Sequence, residues 1–309
     1  MSRTRDHCAP HLRDLTDSTT GSIHQRAITF TGEAGTITGD VWRARGYTPT
    51  RTMLLLHGGG QTRHSWRRAA HGFAHQGWSV VTVDARGHGG SDWDPAVDYE
   101  TPAMARDVRC IVEQMPDVDE VPPGRPVIVG ASMGAISGLV AEAQFAPLAS
   151  ALVLVDVAPR LQMSGVDRIR DFLAGSLSGF ANLNEAAKAV SAYQPGDRRR
   201  NPEGLRTSLR TGPDGRLYWH WDPAFARVMT NMDIDRRYRL LTETARRVSI
   251  PTLLVRGGRS DVVTPAAAEE FAALLADASV VDIPGASHMI TGDDNSAFLD
   301  RATDFLNSL

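Results

Sequence analysis

The order of apolar and polar positions along the chain predicts strands that alternate with helices. Several short runs are almost wholly apolar, as expected for strands buried on both faces; they lie at 53–56, 78–83, 127–129, 151–155 and 251–255. Segments of helical character separate or follow them, at about 65–76, 102–115, 133–145, 265–275 and 295–306. We also expect an N-terminal hairpin (23–30 with 36–42) and a late strand at 279–283. This alternation predicts an α/β fold with a mostly parallel central sheet flanked by helices.

The alternation stops between about Pro159 and Ser249, where the sequence is helical in character and rich in Arg, Ala and Leu. This stretch predicts an insertion between two strands of the sheet. It contains the aromatic group Trp219, His220 and Trp221. These three residues predict either the core of the insertion or a substrate-binding wall, and the pattern leaves both interpretations open.

Composition excludes several classes of partner. Hydrophobic residues make up 42% and charged residues 22% of the 309 residues, and the formal net charge is −3. That balance gives no electrostatic case for binding nucleic acid or a membrane surface. Residues 1–21 are polar and lack the apolar stretch of a secretory signal, so we expect a flexible leader there and a cytoplasmic location.

The two cysteines, Cys8 and Cys110, show no metal-ligand spacing. We therefore predict no metal site, and no cofactor is expected. The sequence gives no indication of the oligomeric state, and the expected partner is a small-molecule substrate.

Gly130-Ala131-Ser132-Met133-Gly134 fits the pattern G-x-S-x-G between a buried strand and a helix. In that context the serine lies on a tight turn that exposes its hydroxyl above the sheet, and only small residues fit beside it. Ser132 is therefore the candidate nucleophile.

His57-Gly58-Gly59-Gly60 directly follows the first buried strand, predicted at 53–56. Its glycines allow backbone N–H groups to approach a ligand closely. Acyl-transfer chemistry needs two such donors for the developing oxyanion, and we predict the N–H groups of Gly59 and Met133. His57 is predicted to support the loop rather than to react.

Residues 84–92, Asp-Ala-Arg-Gly-His-Gly-Gly-Ser-Asp, follow the next strand. The three motifs follow one another along the chain at 57–60, 84–92 and 130–134. In this order they resemble those of the α/β-hydrolase superfamily, and the resemblance extends from about residue 23 to the end of the chain. The resemblance implies a hydrolase core at 22–158 and 250–309 and a helical cap at 159–249 that roofs the active site.

The resemblance also implies a triad in the chain order serine, acid, histidine. His288, in the loop after the last strand, matches the family's histidine. Two acids are available: Asp261 follows the penultimate strand, as in most members, and Asp156 follows the strand after the nucleophile, as in a minority. We predict Asp261, with Asp156 as the alternative.

A serine at this position argues against epoxide hydrolases and haloalkane dehalogenases, which resemble the chain but use an aspartate there. We therefore predict a serine hydrolase of the carboxylesterase or lactonase type. It would cleave an ester or lactone of a small, apolar or aromatic substrate through an acyl-enzyme intermediate. The alternatives are a C–C bond hydrolase, a cofactor-free perhydrolase and a ligand-sensing receptor with a slow triad.

Overall fold

A computed structural model of the chain describes residues 22–193, 202–288, 290 and 295–309. The leader predicted at 1–21 lies outside the described residues, as does part of the predicted insertion (194–201).

Within the described ranges, eight strands form one sheet in the order β1-β2-β4-β3-β5-β6-β9-β10. Their bounds are β1 Ile23–Thr31, β2 Thr36–Ala44, β3 Thr52–Leu56, β4 Ser79–Val83, β5 Val127–Ala131, β6 Ala151–Val155, β9 Thr252–Gly257 and β10 Ala278–Ile283. β2 pairs antiparallel with β1 and β4, and the other pairings are parallel. The sheet is therefore mostly parallel, as predicted, and the carboxyl ends of its central strands meet at one edge.

The described helices are α1 Arg67–His75, α2 Thr101–Gln114, α3 Met133–Phe145, α4 Met163–Gly175, α5 Leu183–Tyr193, α6 Pro223–Thr230, α7 Ile234–Ala245, α8 Pro265–Ala272 and α9 Asn295–Asn307. Short 3₁₀ turns occupy Arg63–Trp66, Met115–Asp117 and Pro202–Ser208. In this part of the chain, no helix combines the length and the apolar character needed to cross a membrane.

Helices cover both faces of the sheet, which explains why its strands are apolar at successive positions. Leu54 packs in one apolar cluster with Leu139 of α3. Its neighbour Leu55 points to the opposite face and packs in a second cluster with Phe73 of α1. Successive side chains of a strand alternate between faces, so a strand covered on both sides must be apolar throughout.

The segment between β6 and β9 contributes α4 to α7 and a small antiparallel hairpin, β7 Leu209–Thr211 with β8 Leu217–Trp219. The helices match the predicted character of 159–249, whereas the hairpin was not predicted. A third apolar cluster joins this inserted segment to the core, and its members include Leu173, Phe180, Trp219, Trp221 and Phe225 together with Tyr99, Met104 and Met133.

Candidate active site

Ser132 lies on the turn that joins β5 to α3, in a backbone conformation that side chains rarely adopt. Its φ is 47° and its ψ is −109°, a strained combination of the kind that costs about 1–3 kcal/mol. A Cβ at Gly134 would lie 2.4 Å from the carbonyl oxygen of Leu56, and one at Gly130 would lie 2.4 Å from the N atom of Ala135. The two glycines of the motif are therefore steric requirements of the turn that presents the Ser132 hydroxyl.

His288 lies on the loop after β10 and pairs with Asp156. Its Nδ1 donates to Asp156 Oδ2 over 2.5 Å. Asp156 is buried directly after β6, and its backbone has a positive φ of 49°.

Two further donors hold the Asp156 carboxylate in place. The Gly257 N–H bonds Oδ1 at 2.9 Å, and the Ser260 hydroxyl bonds Oδ2 at 2.6 Å. The sequence pattern did not predict this role of Ser260, the residue that precedes Asp261. The carboxylate thus accepts three hydrogen bonds, which fix its orientation relative to the imidazole.

Asp261 is not the partner of His288, which corrects the choice made from the sequence. Its carboxylate forms an ion pair with Arg168 of α4. The backbone of its loop is packed against the same helix, since a Cβ at Gly165 would lie 2.3 Å from the Asp261 carbonyl oxygen. In the sheet order β6 lies between β5 and β9, so an acid at the end of β6 is adjacent to the strand that carries Ser132.

In the loop after β3, the N–H groups of Gly58 and Gly60 donate hydrogen bonds to side chains. The N–H of Gly58 bonds Gln61 Oε1 at 3.0 Å, and the N–H of Gly60 bonds His88 Nε2 at 3.2 Å. Gly59 lies between them and lines the same cavity as Met133. Met133 is the first residue of α3, a position whose N–H has no acceptor within the helix.

Three buried histidines support this loop. Nε2 of His57 accepts the Ala85 N–H at 2.9 Å while Nδ1 donates to the Gly58 carbonyl at 2.8 Å. His88 lies next to it, with ring centroids 5.1 Å apart, and His220 lies beyond, 6.0 Å from His88. Burial lowers the pKa of all three, that of His220 to about 4. They are therefore neutral hydrogen-bonding groups.

A cavity opens above Ser132, Asp156 and His288. Most of its wall is apolar and comes from both the core and the inserted segment; it includes Met104, Ile136, Val157, Leu161, Val166, Ile169, Leu173, Phe225, Met229, Met232 and Val262.

Trp219, His220 and Trp221 are absent from the residues that line this cavity. All three are buried, and the Trp219 ring contacts Phe172 and Phe180 with centroids 5.8 and 5.4 Å apart. Of the two interpretations left open by the sequence, the core of the inserted segment is confirmed for these residues, and the substrate-binding wall is corrected.

The profile of the Alpha/beta hydrolase family matches residues 53–301, a range that contains Ser132, Asp156 and His288. The chain belongs to this family.

Several hydrolases are similar to this family member over most of their length. A 2-(acetamidomethylene)succinate hydrolase of Mesorhizobium japonicum is 28% identical over 75% of this chain and 79% of its own. An esterase of Mycobacterium tuberculosis is 28% identical over 69% of this chain and 67% of its own. The crystal structure of an E-2-(acetamidomethylene)succinate hydrolase superposes with a TM-score of 0.74 at 23% identity, covering 92% of this chain and all of that one. The family match and the two sequence relatives support a serine hydrolase, and the similar crystal structure supports the fold.

Proposed function

We propose that this hydrolase cleaves carboxylic esters, open-chain or lactone, through an acyl-enzyme intermediate on Ser132. The observation that carries the proposal is the 2.5 Å hydrogen bond between Asp156 and His288 in the cavity that Ser132 also lines. A buried carboxylate on Nδ1 sets the tautomer that leaves Nε2 free to accept a proton.

In the first half of the reaction, Ser132 Oγ attacks the ester carbonyl carbon while His288 Nε2 accepts the hydroxyl proton. The carbonyl oxygen becomes an oxyanion, held by the N–H groups of Gly59 and Met133. The C–O bond to the alcohol then breaks, and His288 returns the proton to the departing oxygen. In the second half, His288 takes a proton from water, the resulting nucleophile attacks the acyl carbon, and Ser132 is released with the proton restored.

The apolar wall of the cavity supports an acyl or alcohol group that is largely hydrocarbon. We include in the proposal that the inserted segment acts as a cap, because Ile169, Leu173, Phe225 and Met229 form part of that wall. A lactone would follow the same steps with its alcohol still attached to the acyl group.

Replacement of the nucleophile tests this function. Ser132→Ala should lower kcat for short p-nitrophenyl esters by about a million-fold, the scale seen when a triad serine is removed. A fluorophosphonate probe should label wild-type protein at Ser132 only.

Ser137→Ala is the matched control, because Ser137 is buried one turn along α3 and its hydroxyl bonds the Met133 carbonyl. It should keep its labelling and its activity within severalfold. Label on another serine, or Ser132→Ala activity within tenfold of wild type, would contradict the proposal. A single release of product per chain without turnover would favour a ligand-sensing receptor.

A further inference from the structure

Arg237 of α7 is a buried cation in the wall of the cavity that contains Ser132. Its side chain is among the lining residues, and the residue is only 9% exposed. Nη1 donates to the carbonyl oxygens of Ala158 and Pro159, each at 3.0 Å. Among the described residues, no acceptor is found for the rest of the guanidinium, which has three further N–H bonds.

No carboxylate of the described residues neutralises Arg237. Asp156 is engaged by His288, Gly257 and Ser260, and Asp261 is paired with Arg168. Burial without an acidic partner lowers the pKa of Arg237 to about 10, so the group is still charged near neutral pH. A buried charge with no partner is costly, and that cost is offset when an anion enters the site.

A second arginine reaches the same cavity from α4. Arg170 also lines it, and its Nη2 donates to the Met232 carbonyl at 2.9 Å. Its Nε is buried and has no hydrogen-bond partner among the described residues. The pairing of Arg170 with Asp167 is long, 3.8 Å, and lies on the exposed side of the helix. Two guanidinium groups, one on α4 and one on α7, thus have donors to spare beside one apolar cavity.

We propose that the substrate of this hydrolase carries a carboxylate, which Arg237 binds with help from Arg170 while the ester carbonyl lies at Ser132. The inference rests on the proposed function for the position of the ester. The planar guanidinium fork matches a carboxylate and binds it through two parallel hydrogen bonds. Apolar residues of the same wall, among them Ile169 and Leu173, suit the hydrocarbon between the two ends.

Arg237 also has a structural use, since it supports the carbonyls of Ala158 and Pro159 just after Asp156. That use predicts a different result on mutation. If Arg237 only supports the backbone, its replacement would disturb Asp156 and lower activity on every ester equally. If it binds a carboxylate, its replacement would lower activity on anionic esters selectively.

The test compares pairs of methyl esters matched in chain length: monomethyl glutarate with methyl pentanoate, and monomethyl adipate with methyl hexanoate. Wild-type protein should prefer the anion in at least one pair. Arg237→Gln should lower kcat/KM for that anion by about 10-fold to 100-fold, the scale of a lost charge-assisted hydrogen bond, and change the neutral ester by less than about threefold. Arg237→Lys should lose less than Arg237→Gln, because it keeps the charge but not the fork.

Arg170→Gln provides a second variant that leaves the Ala158 and Pro159 contacts intact, and it should also lose preference for the anion. Arg236→Gln is the matched control: Arg236 is the preceding residue on α7, its side chain is 67% exposed, and it does not line the cavity. Equal losses on anionic and neutral esters, or a wild-type preference for the neutral ester in both pairs, would overturn the inference.

Binding separates failure of this inference from failure of the proposed function. Calorimetry with Ser132→Ala should detect monomethyl glutarate or adipate, and the double variant Ser132→Ala, Arg237→Gln should bind it at least tenfold more weakly. Binding of the anion without turnover of any ester by wild-type protein would contradict the ester-cleaving function and support the carboxylate site. Turnover of neutral esters without binding of the anions would support the ester-cleaving function and contradict the carboxylate site.

Discussion

At the scale of single residues, two aspartates at strand ends have different partners: Asp156 bonds His288, whereas Asp261 forms an ion pair with Arg168. Asp156 and Asp261 both follow strands of the parallel sheet, so a one-dimensional pattern places both at the same edge. The choice depends on which neighbour takes each carboxylate, and Arg168 lies on a helix of the inserted segment. Contacts between the insertion and the core are long-range, and the periodicity of the chain carries no information about them.

Amide replacement of the two acids tests the assignment. Asp156→Asn should lower kcat by about 10⁴-fold, because the amide favours the wrong imidazole tautomer, as in protease triads. Asp261→Asn breaks only a partly exposed ion pair, a contact worth about 0–1 kcal/mol of folding free energy, and should keep kcat within severalfold.

Both variants should be compared with wild type by thermal melting, so that a folding defect is not read as a catalytic one. An inactive Asp261→Asn together with an active Asp156→Asn would show that Asp261, in the loop after β9, is the triad acid.

At the scale of elements, the strands and helices of the core follow from the apolar pattern. The predicted bounds of α3 and β6 coincide with the structure, since each begins and ends at a turn signal. The β7–β8 hairpin was not predicted because its strands have only three residues each. It places Trp219 in the apolar cluster of the inserted segment rather than in the cavity.

Trp219→Ala should therefore act on stability more than on substrate choice. Loss of a buried aromatic ring lowers the free energy of unfolding by about 3–5 kcal/mol. The ratio of kcat/KM for large and small esters should change little, since Trp219 does not line the cavity.

Trp93→Ala is the control, because that tryptophan is 40% exposed, and its loss should cost less than about 1 kcal/mol. Urea titrations give the stabilities. A large shift in ester selectivity without loss of stability would place Trp219 at the substrate after all.

At the scale of the whole molecule, loops from three distant parts of the chain meet at the buried histidines. The Gly89 N–H donates to His220 Nδ1 at 2.8 Å, and the Asp222 N–H donates to the Gly87 carbonyl at 2.8 Å. The inserted segment is thereby joined to the loop after β4 as well as to its two connections with the sheet. A protonated His220 could not accept the Gly89 N–H, so this junction depends on a neutral ring.

Stability should accordingly fall in mild acid. The pKa of His220 is about 4 in the folded chain against an ordinary 6.5, so below about pH 6.5 the unfolded chain takes up a proton that the folded chain does not. The free energy of unfolding then decreases from about pH 6.5 down to about pH 4, by about 3 kcal/mol at most for this residue.

Urea unfolding of wild type and His220→Gln at pH 7.5 and pH 5 measures the effect. The variant should lose less stability over this interval than wild type, whereas His75→Gln, which removes an exposed histidine of α1, should behave as wild type. Equal pH dependence in all three proteins would show that His220 is not the group responsible.

The ion pair between Asp261 and Arg168 has a consequence for directed evolution of this chain. Because His288 pairs with Asp156, the side chain of Asp261 is not its partner and instead ties its loop to α4, the helix that brings Ile169, Arg170 and Leu173 to the cavity wall. A library at Asp261 and Arg168 would therefore vary the position of that wall while Ser260, Asp156 and His288 stay untouched. Selection from such a library should change which substrates fit the cavity while the reaction stays the same.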